Sequence, residues 1–206
     1  MDADIVSQIS QALFVVYSPT SSNEQRRLAG GFLEQVKGNP ASVPVAHSLA
    51  HKDNGQPDEL RYFGLSVLEN IIKFKWNSAE LSDADRQKLK ELVVNLTADG
   101  LKGFADEKSF IKEKVAKIFV EVAKRLFPLQ WADMDLLLMN MYRADEKSQE
   151  MVLLIYRSLA EDIYIYDDAV AELRKKELTT GMLAVSALKV LSGYRPPFHT
   201  LMLKRS

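Results

Sequence analysis

Along most of this chain, apolar residues recur every three or four positions, and short stretches of proline, glycine, serine, asparagine and aspartate separate the runs. That period marks helices with one buried side, and the strict alternation of a half-buried strand does not occur. Ile5, Ile9, Leu13 and Val16 fall on one stripe and predict a helix over Ala3–Tyr17. "SPTSSN" follows as turn and cap, and Glu24–Lys37 reads as a second helix facing inward with Leu28, Phe32 and Val36. Gly30-Gly31 inside it reads as close packing, and Gly38-Asn39-Pro40 ends it. A short helix over Val43–Ala50 precedes the loop "HKDNGQPD".

The segment Asp58–Trp76 is the most strongly patterned. Leu60, Phe63, Gly64, Val67, Leu68, Ile71 and Phe74 cover one side, and Tyr62, Ser66, Glu69 and Lys73 the other. Gly64 and Trp76 are its expected structural residues, with Gly64 allowing close helix–helix approach. Further helices are predicted near Asp83–Leu101, Asp106–Phe127, Pro128–Met141, Ser148–Tyr164 and Asp167–Leu191. Asp106–Phe127 buries Ile111, Val115, Ile118, Phe119, Val122 and Leu126, and turns Glu113, Lys117, Glu121 and Lys124 outward. In "KIFVEVAKRLFPLQWADM", Pro128 cannot sit inside the preceding helix but suits the first position of the next. It therefore predicts a sharp elbow, with Trp131 folding back over it. Helices of this kind, joined by tight links, form a bundle or a stack. Their number and length fit repeats of about 40–47 residues, an all-α solenoid of antiparallel, HEAT-like pairs.

Composition narrows the function more than the fold. Lys and Arg total 27 and Asp and Glu 28, so no overall positive field invites nucleic acid or an anionic membrane. The absence of cysteine excludes disulfides, thiolate metal sites and cysteine nucleophiles. "MDADIVSQIS" lacks the basic and apolar regions of a secretory signal, and no apolar run approaches the ~18–20 residues of a membrane span. The expectation is a cytosolic or nuclear protein without membrane contact. No phosphate loop, dinucleotide fingerprint, HExxH or nucleophile elbow occurs. His47 and His51 share an i, i+4 spacing, but two imidazoles are too few for a zinc site. No catalytic residue, cofactor or metal is expected.

Two stretches resemble a known family. "ELRYFGLSVLENIIKFKWN" (Glu59–Asn77) is similar to the second repeat of importin-β-type (karyopherin) transport receptors: an Arg, an aromatic, a small residue, then LxxLExxIKxxW. "FIKEKVAKIFVEVAKRLFPLQWADM" (Phe110–Met134) resembles the exportin signature, and "RSLAEDI" (Arg157–Ile163) fits the repeat after it. The wording is nearest to the exportin-5 branch, and the likeness runs from about Ile5 to Val190.

The resemblance implies a nuclear transport receptor that shuttles between nucleus and cytoplasm. It implies binding to the GTP form of the small GTPase Ran, to cargo protein or structured RNA, and to nucleoporins. It implies Ran-binding HEAT-like repeats over residues 1–104 and exportin-like repeats over 105–192; Pro196-Pro197 breaks that pattern, so 193–206 reads as an irregular tail. Members of the family are several times longer, so an N-terminal portion is expected, with apolar surface exposed where no cap follows. In the family the second helix of each pair lines the partner surface. That makes Arg27, Glu34, Tyr62, Glu69, Lys73, Glu113, Lys117, Glu121 and Lys124 the candidate contacts, and Gly64, Trp76, Pro128 and Trp131 the structural positions. Two rivals remain: a Ran-independent helical scaffold, and an RNA-binding module using Lys73, Lys75, Lys124 and Arg125.

Overall fold

The computed structural model describes residues 3–103, 105–164, 173 and 175–180. The predicted helix Asp167–Leu191 lies outside the described residues, apart from 173 and 175–180, which are helical. The tail 193–206, with His199, also lies outside them. Among the described residues there is no strand. They form an all-α, helical-repeat arrangement in two compact units, Met1–Val122 and Ala123–Ser206.

The first unit holds α1 (Ala3–Tyr17), α2 (Asn23–Gly38), α3 (Val43–Ala50), α4 (Asp58–Asn70), α5 (Asp83–Ala98) and most of α6 (Ser109–Leu126). α1 folds back on α2 and α3 on α4; α2 also packs on α4, and α3 on α5. In the second unit α7 (Met134–Ala144) pairs with α8 (Glu146–Tyr164) across the single link residue Asp145.

Two corners of the first unit use one local device. Ser22 Oγ accepts from the Gln25 amide at 3.2 Å and Gln25 Oε1 accepts from the Ser22 amide at 2.8 Å. Ser82 and Asp85 repeat this capping box at 3.2 and 3.0 Å. The next residue in each case is an arginine that reaches back to the end of the preceding helical segment. Arg26 Nη2 donates to the Ser18 carbonyl at 2.8 Å, and Arg86 Nε to the Trp76 carbonyl at 2.7 Å. Each adds a donor to a carbonyl at the point where regular helical bonding stops.

At α3 and α4 the backbones nearly touch. A Cβ on Gly64 would lie 2.5 Å from the Ala46 carbonyl oxygen and 2.9 Å from Leu49 Cβ. Leu49, Leu65, Leu68, Ile71 and Ile72 are fully buried around this crossing.

Several sequence expectations need correction. Val36 is buried as its spacing predicts, but Leu28 is 59% exposed and Phe32 only half-buried, because α2 is rotated so that Leu33 takes the inward place. A Cβ at Gly30 or Gly31 would meet nothing within 4 Å, so neither marks a close approach. Phe74 is 73% exposed. Here Ile71–Lys75 widens into a π-turn, which adds one residue to the turn and shifts the inward register. Ile72 and Trp76 are buried in its place.

The elbow also differs. α6 ends at Leu126, and Phe127–Gln130 is a turn with a cis Phe127–Pro128 peptide. The Gln130 amide donates back to the Leu126 carbonyl at 2.7 Å, so Pro128 closes the old helix and does not open the new one. Trp131 and Phe127 are buried, Leu129 is exposed, and α7 begins only at Met134. α8 starts earlier than Ser148, because the Asp145 carboxylate accepts from the Ser148 amide at 2.8 Å and caps the helix from Glu146.

Candidate partner-binding wall on α4 and α6

The amphipathic pattern of α4 and the π-turn after it puts Tyr62, Glu69 and Lys73 on one stripe. Phe110, Lys114 and Glu121 form the facing stripe of α6, so side chains from the two helices meet. The Tyr62 and Phe110 rings sit edge to face with centroids 5.7 Å apart, and both are partly exposed. Lys114 Nζ lies over the Tyr62 ring, 5.2 Å from its centroid, a cation–π placement. The same ammonium forms an ion pair with Glu69 Oε2. Glu69 Oε1 accepts from Lys73 Nζ at 2.8 Å, and Lys73 lies 3.9 Å from Glu121 Oε1. Burial pushes the Glu69 carboxyl up, but hydrogen bonds and charge attraction from Lys114 and Lys73 outweigh it and hold the group below the usual carboxylate range.

The wall is graded. Tyr62 and Phe110 reach solvent at one end and Lys73 at the other, while Glu69, Lys114 and Glu121 lie deeper and fix them from behind. Such a strip presents aromatic edges and ammonium donors already ordered, which lowers the entropy lost when a partner binds. Nothing in it pairs a nucleophile with a base.

A buried clamp lies behind the wall, on the inner side of α4. Arg61 is fully buried, and its two terminal nitrogens each donate to one Glu107 oxygen at 2.7 Å. Arg61 Nε donates to the Ala50 carbonyl at 3.1 Å, tying in the end of α3. Glu107 in turn accepts from the Lys102 and Lys108 amides at 2.9 and 3.2 Å. Burial raises the Glu107 carboxyl, but the Arg61 bonds and these amides overcome it and leave the group depressed. The clamp ties α4 to the loop that leads into α6, and so sets how the two halves of the wall meet.

The structure gathers Tyr62, Glu69, Lys73 and Glu121 and leaves the other candidates apart. Arg27 pairs with Glu24 at 2.7 Å and Glu34 with Lys37 at 2.8 Å, both pairs local to α2. Glu113 and Lys117 are exposed on α6. Glu121 does not face solvent as its spacing suggested: it is buried, facing Lys73. Lys124 is likewise not an outward charge but binds Asp162 of α8 at 2.7 Å, within the second unit.

Sequence reasoning missed Phe110, Lys114, Arg61 and Glu107. Phe110, Lys114 and Glu121 share one helical stripe, which was readable. Arg61 precedes Gly64 and Leu68 by three and seven positions, so a charge in the apolar arc was a second signal. Glu107 lies just before the helix and carried no periodic signal.

The profile described as "Importin-beta N-terminal domain" matches residues 29–99, and that described as "Exportin 1-like protein" matches residues 108–193. Protein MSN5 of Saccharomyces cerevisiae is 35% identical over 184 residues, covering 82% of this chain and 14% of that protein. The chain belongs to the importin-β/exportin family. Exportin-5 of Mus musculus is 33% identical over 172 residues, covering 83% of this chain and 14% of that protein. Exportin-5 of Homo sapiens is 34% identical over 163 residues, covering 79% and 13%. This family member therefore spans about 14% of the length of the relatives it matches. The α4 half of the wall falls in the importin-β match, and the α6 half in the exportin match. No described helix is long and apolar enough to cross a membrane.

Proposed function

We propose that this chain acts as part of a nuclear transport receptor of the exportin type, moving between nucleus and cytoplasm. It binds RanGTP together with a cargo protein or structured RNA, and engages nucleoporins during passage. Residues 1–104 supply the main Ran-binding repeats and residues 105–192 the exportin-like ones. The role is binding, not catalysis. The observation that carries this reading is the α4/α6 wall, in which Tyr62, Phe110 and Lys73 are held to solvent by a deeper charge network. A partner that contacts the wall favours one setting of α4 against α6. A second ligand that favours the same setting then binds more tightly, by reciprocal coupling.

Capture of Ran loaded with a non-hydrolysable GTP analogue, compared with GDP-loaded Ran, tests this with the 206-residue chain and a full-length relative. Preference for the GTP form, lost in Tyr62→Ala and Lys73→Glu, is the expected result. Equal retention of both forms, or of neither by the full-length protein, overturns it. Cargo binding that ignores the nucleotide favours the scaffold alternative. Binding to RNA alone with a steep salt dependence favours the RNA module.

A further inference from the structure

We propose that the paired loops after α3 and α5 bind one divalent transition-metal ion through His51, Asp53 and Asp99. One ligand atom from each of these three side chains lies within 4.8 Å of the other two. His51 Nδ1 and Asp53 Oδ2 are 3.5 Å apart, and Asp99 reaches them from a loop more than forty positions along the chain.

Two donors held by one ion at ~2.1 Å can stand no farther apart than about 4.2 Å. Three donors share the ion's sphere and stand about 3.4 Å apart in tetrahedral geometry, so separations of up to 4.8 Å must close by up to about 1.4 Å, within reach of rotating the exposed Asp53 and Asp99 side chains. The two loops that carry the donors are already joined, because the Lys52 amide donates to the Gly100 carbonyl at 2.9 Å. So the ligands do not have to bring the loops together on binding.

One cation already uses part of this place. The Lys52 ammonium binds both the carboxylate and the backbone carbonyl of Asp99. It shows that Asp99 is set to hold positive charge, and it is the natural competitor of a metal. An imidazole nitrogen with two carboxylates suits zinc, cobalt or nickel better than calcium, which takes six to eight oxygens. With no cysteine in the chain and only three histidines, few rival sites for such metals exist. The two-histidine spacing of His47 and His51 falls short of a site, and the folded loops add the carboxylates that spacing lacks. His47 is not a ligand in this scheme; its Nε2 is engaged with Asn95 Oδ1 at 3.2 Å.

The proposal is independent of transport, and its readout shares nothing with Ran capture. Metal-free chain is titrated with Co²⁺, read by its visible absorption, and with Zn²⁺ by calorimetry. One equivalent is expected. His51→Gln and Asp53→Asn each weaken binding roughly tenfold or more, the scale of a lost or misplaced metal contact. Lys52→Met tightens it by removing the competing ammonium, an effect no loss of folding imitates. Asp53 is exposed, so metal-free melting of Asp53→Asn stays at the parent temperature. No uptake at millimolar metal overturns the site. So does equal uptake by the parent and the His51→Gln/Asp53→Asn double variant, or a Lys52→Met chain that binds no more tightly than the parent.

Discussion

Two arginine–glutamate pairs in this chain have the same 2.7 Å contact and opposite surroundings. Arg27–Glu24 lies on the outer face of α2, with side chains 69% and 64% exposed; Arg61–Glu107 lies beneath α4, at 0% and 1%. Distance alone would rank them equal. In water each partner of the first pair keeps its hydration and the attraction is screened. In the second, neither charge has solvent to return to, so each depends on the other and on the Ala50, Lys102 and Lys108 backbone groups. The first pair decorates a helix and the second joins three segments of chain.

The largest expected effect comes from removing one half of the buried pair. Arg61→Met strands the Glu107 carboxylate and lowers stability by about 3–5 kcal/mol, read in urea melts. Adding Glu107→Leu to it recovers much of that loss, because no charge is then left alone. A double variant as unstable as Arg61→Met alone would show that shape, not charge, matters there. Gly64→Ala comes next, at about 1–3 kcal/mol, because the added methyl meets backbone atoms of α3 that cannot move aside.

Acid sharpens the comparison further. Glu107 and Glu69 have folded pKa values below their unfolded ones. Their contribution is complete above the unfolded value of about 4.3 and is lost as pH falls through the folded values. Stability followed by thermal melts from neutral pH downward should thus decline in that window, and Glu107→Leu/Arg61→Met should decline less. Lys73→Ala, which removes a half-exposed partner of Glu69, costs about 0.2–1 kcal/mol and less at high salt. Arg27→Ala is the smallest: its melting temperature should match that of the parent.

Much of the fold was legible in the sequence, and the gaps have physical causes. The first five helices are read to within a few residues, because caps and prolines mark their ends. Leu28 and Phe74 were misassigned because periodicity alone gives no absolute rotation. Apolar residues at 28, 32, 33 and 36 fit two orientations of α2, and a π-turn leaves no mark in a 3.6-residue count. Pro128 was placed at a helix start because its lack of an amide suits that position equally with the turn it occupies. Of the wall, the α4 stripe was readable from one helix. The α6 stripe of Phe110 and Lys114 was readable too, but not that it faces the α4 stripe, since that meeting depends on long-range contacts such as the Arg61–Glu107 clamp between residues 46 positions apart.

The twin corners at Ser22–Arg26 and Ser82–Arg86 lead to a statement about order in time. Their arginines close contacts over 8 and 10 positions, whereas the clamp spans 46. Short closures cost less chain entropy, so these two bends can form while the rest of the polypeptide is still searching. The nascent chain then carries its corner angles before it has a core, and later collapse joins preset pieces.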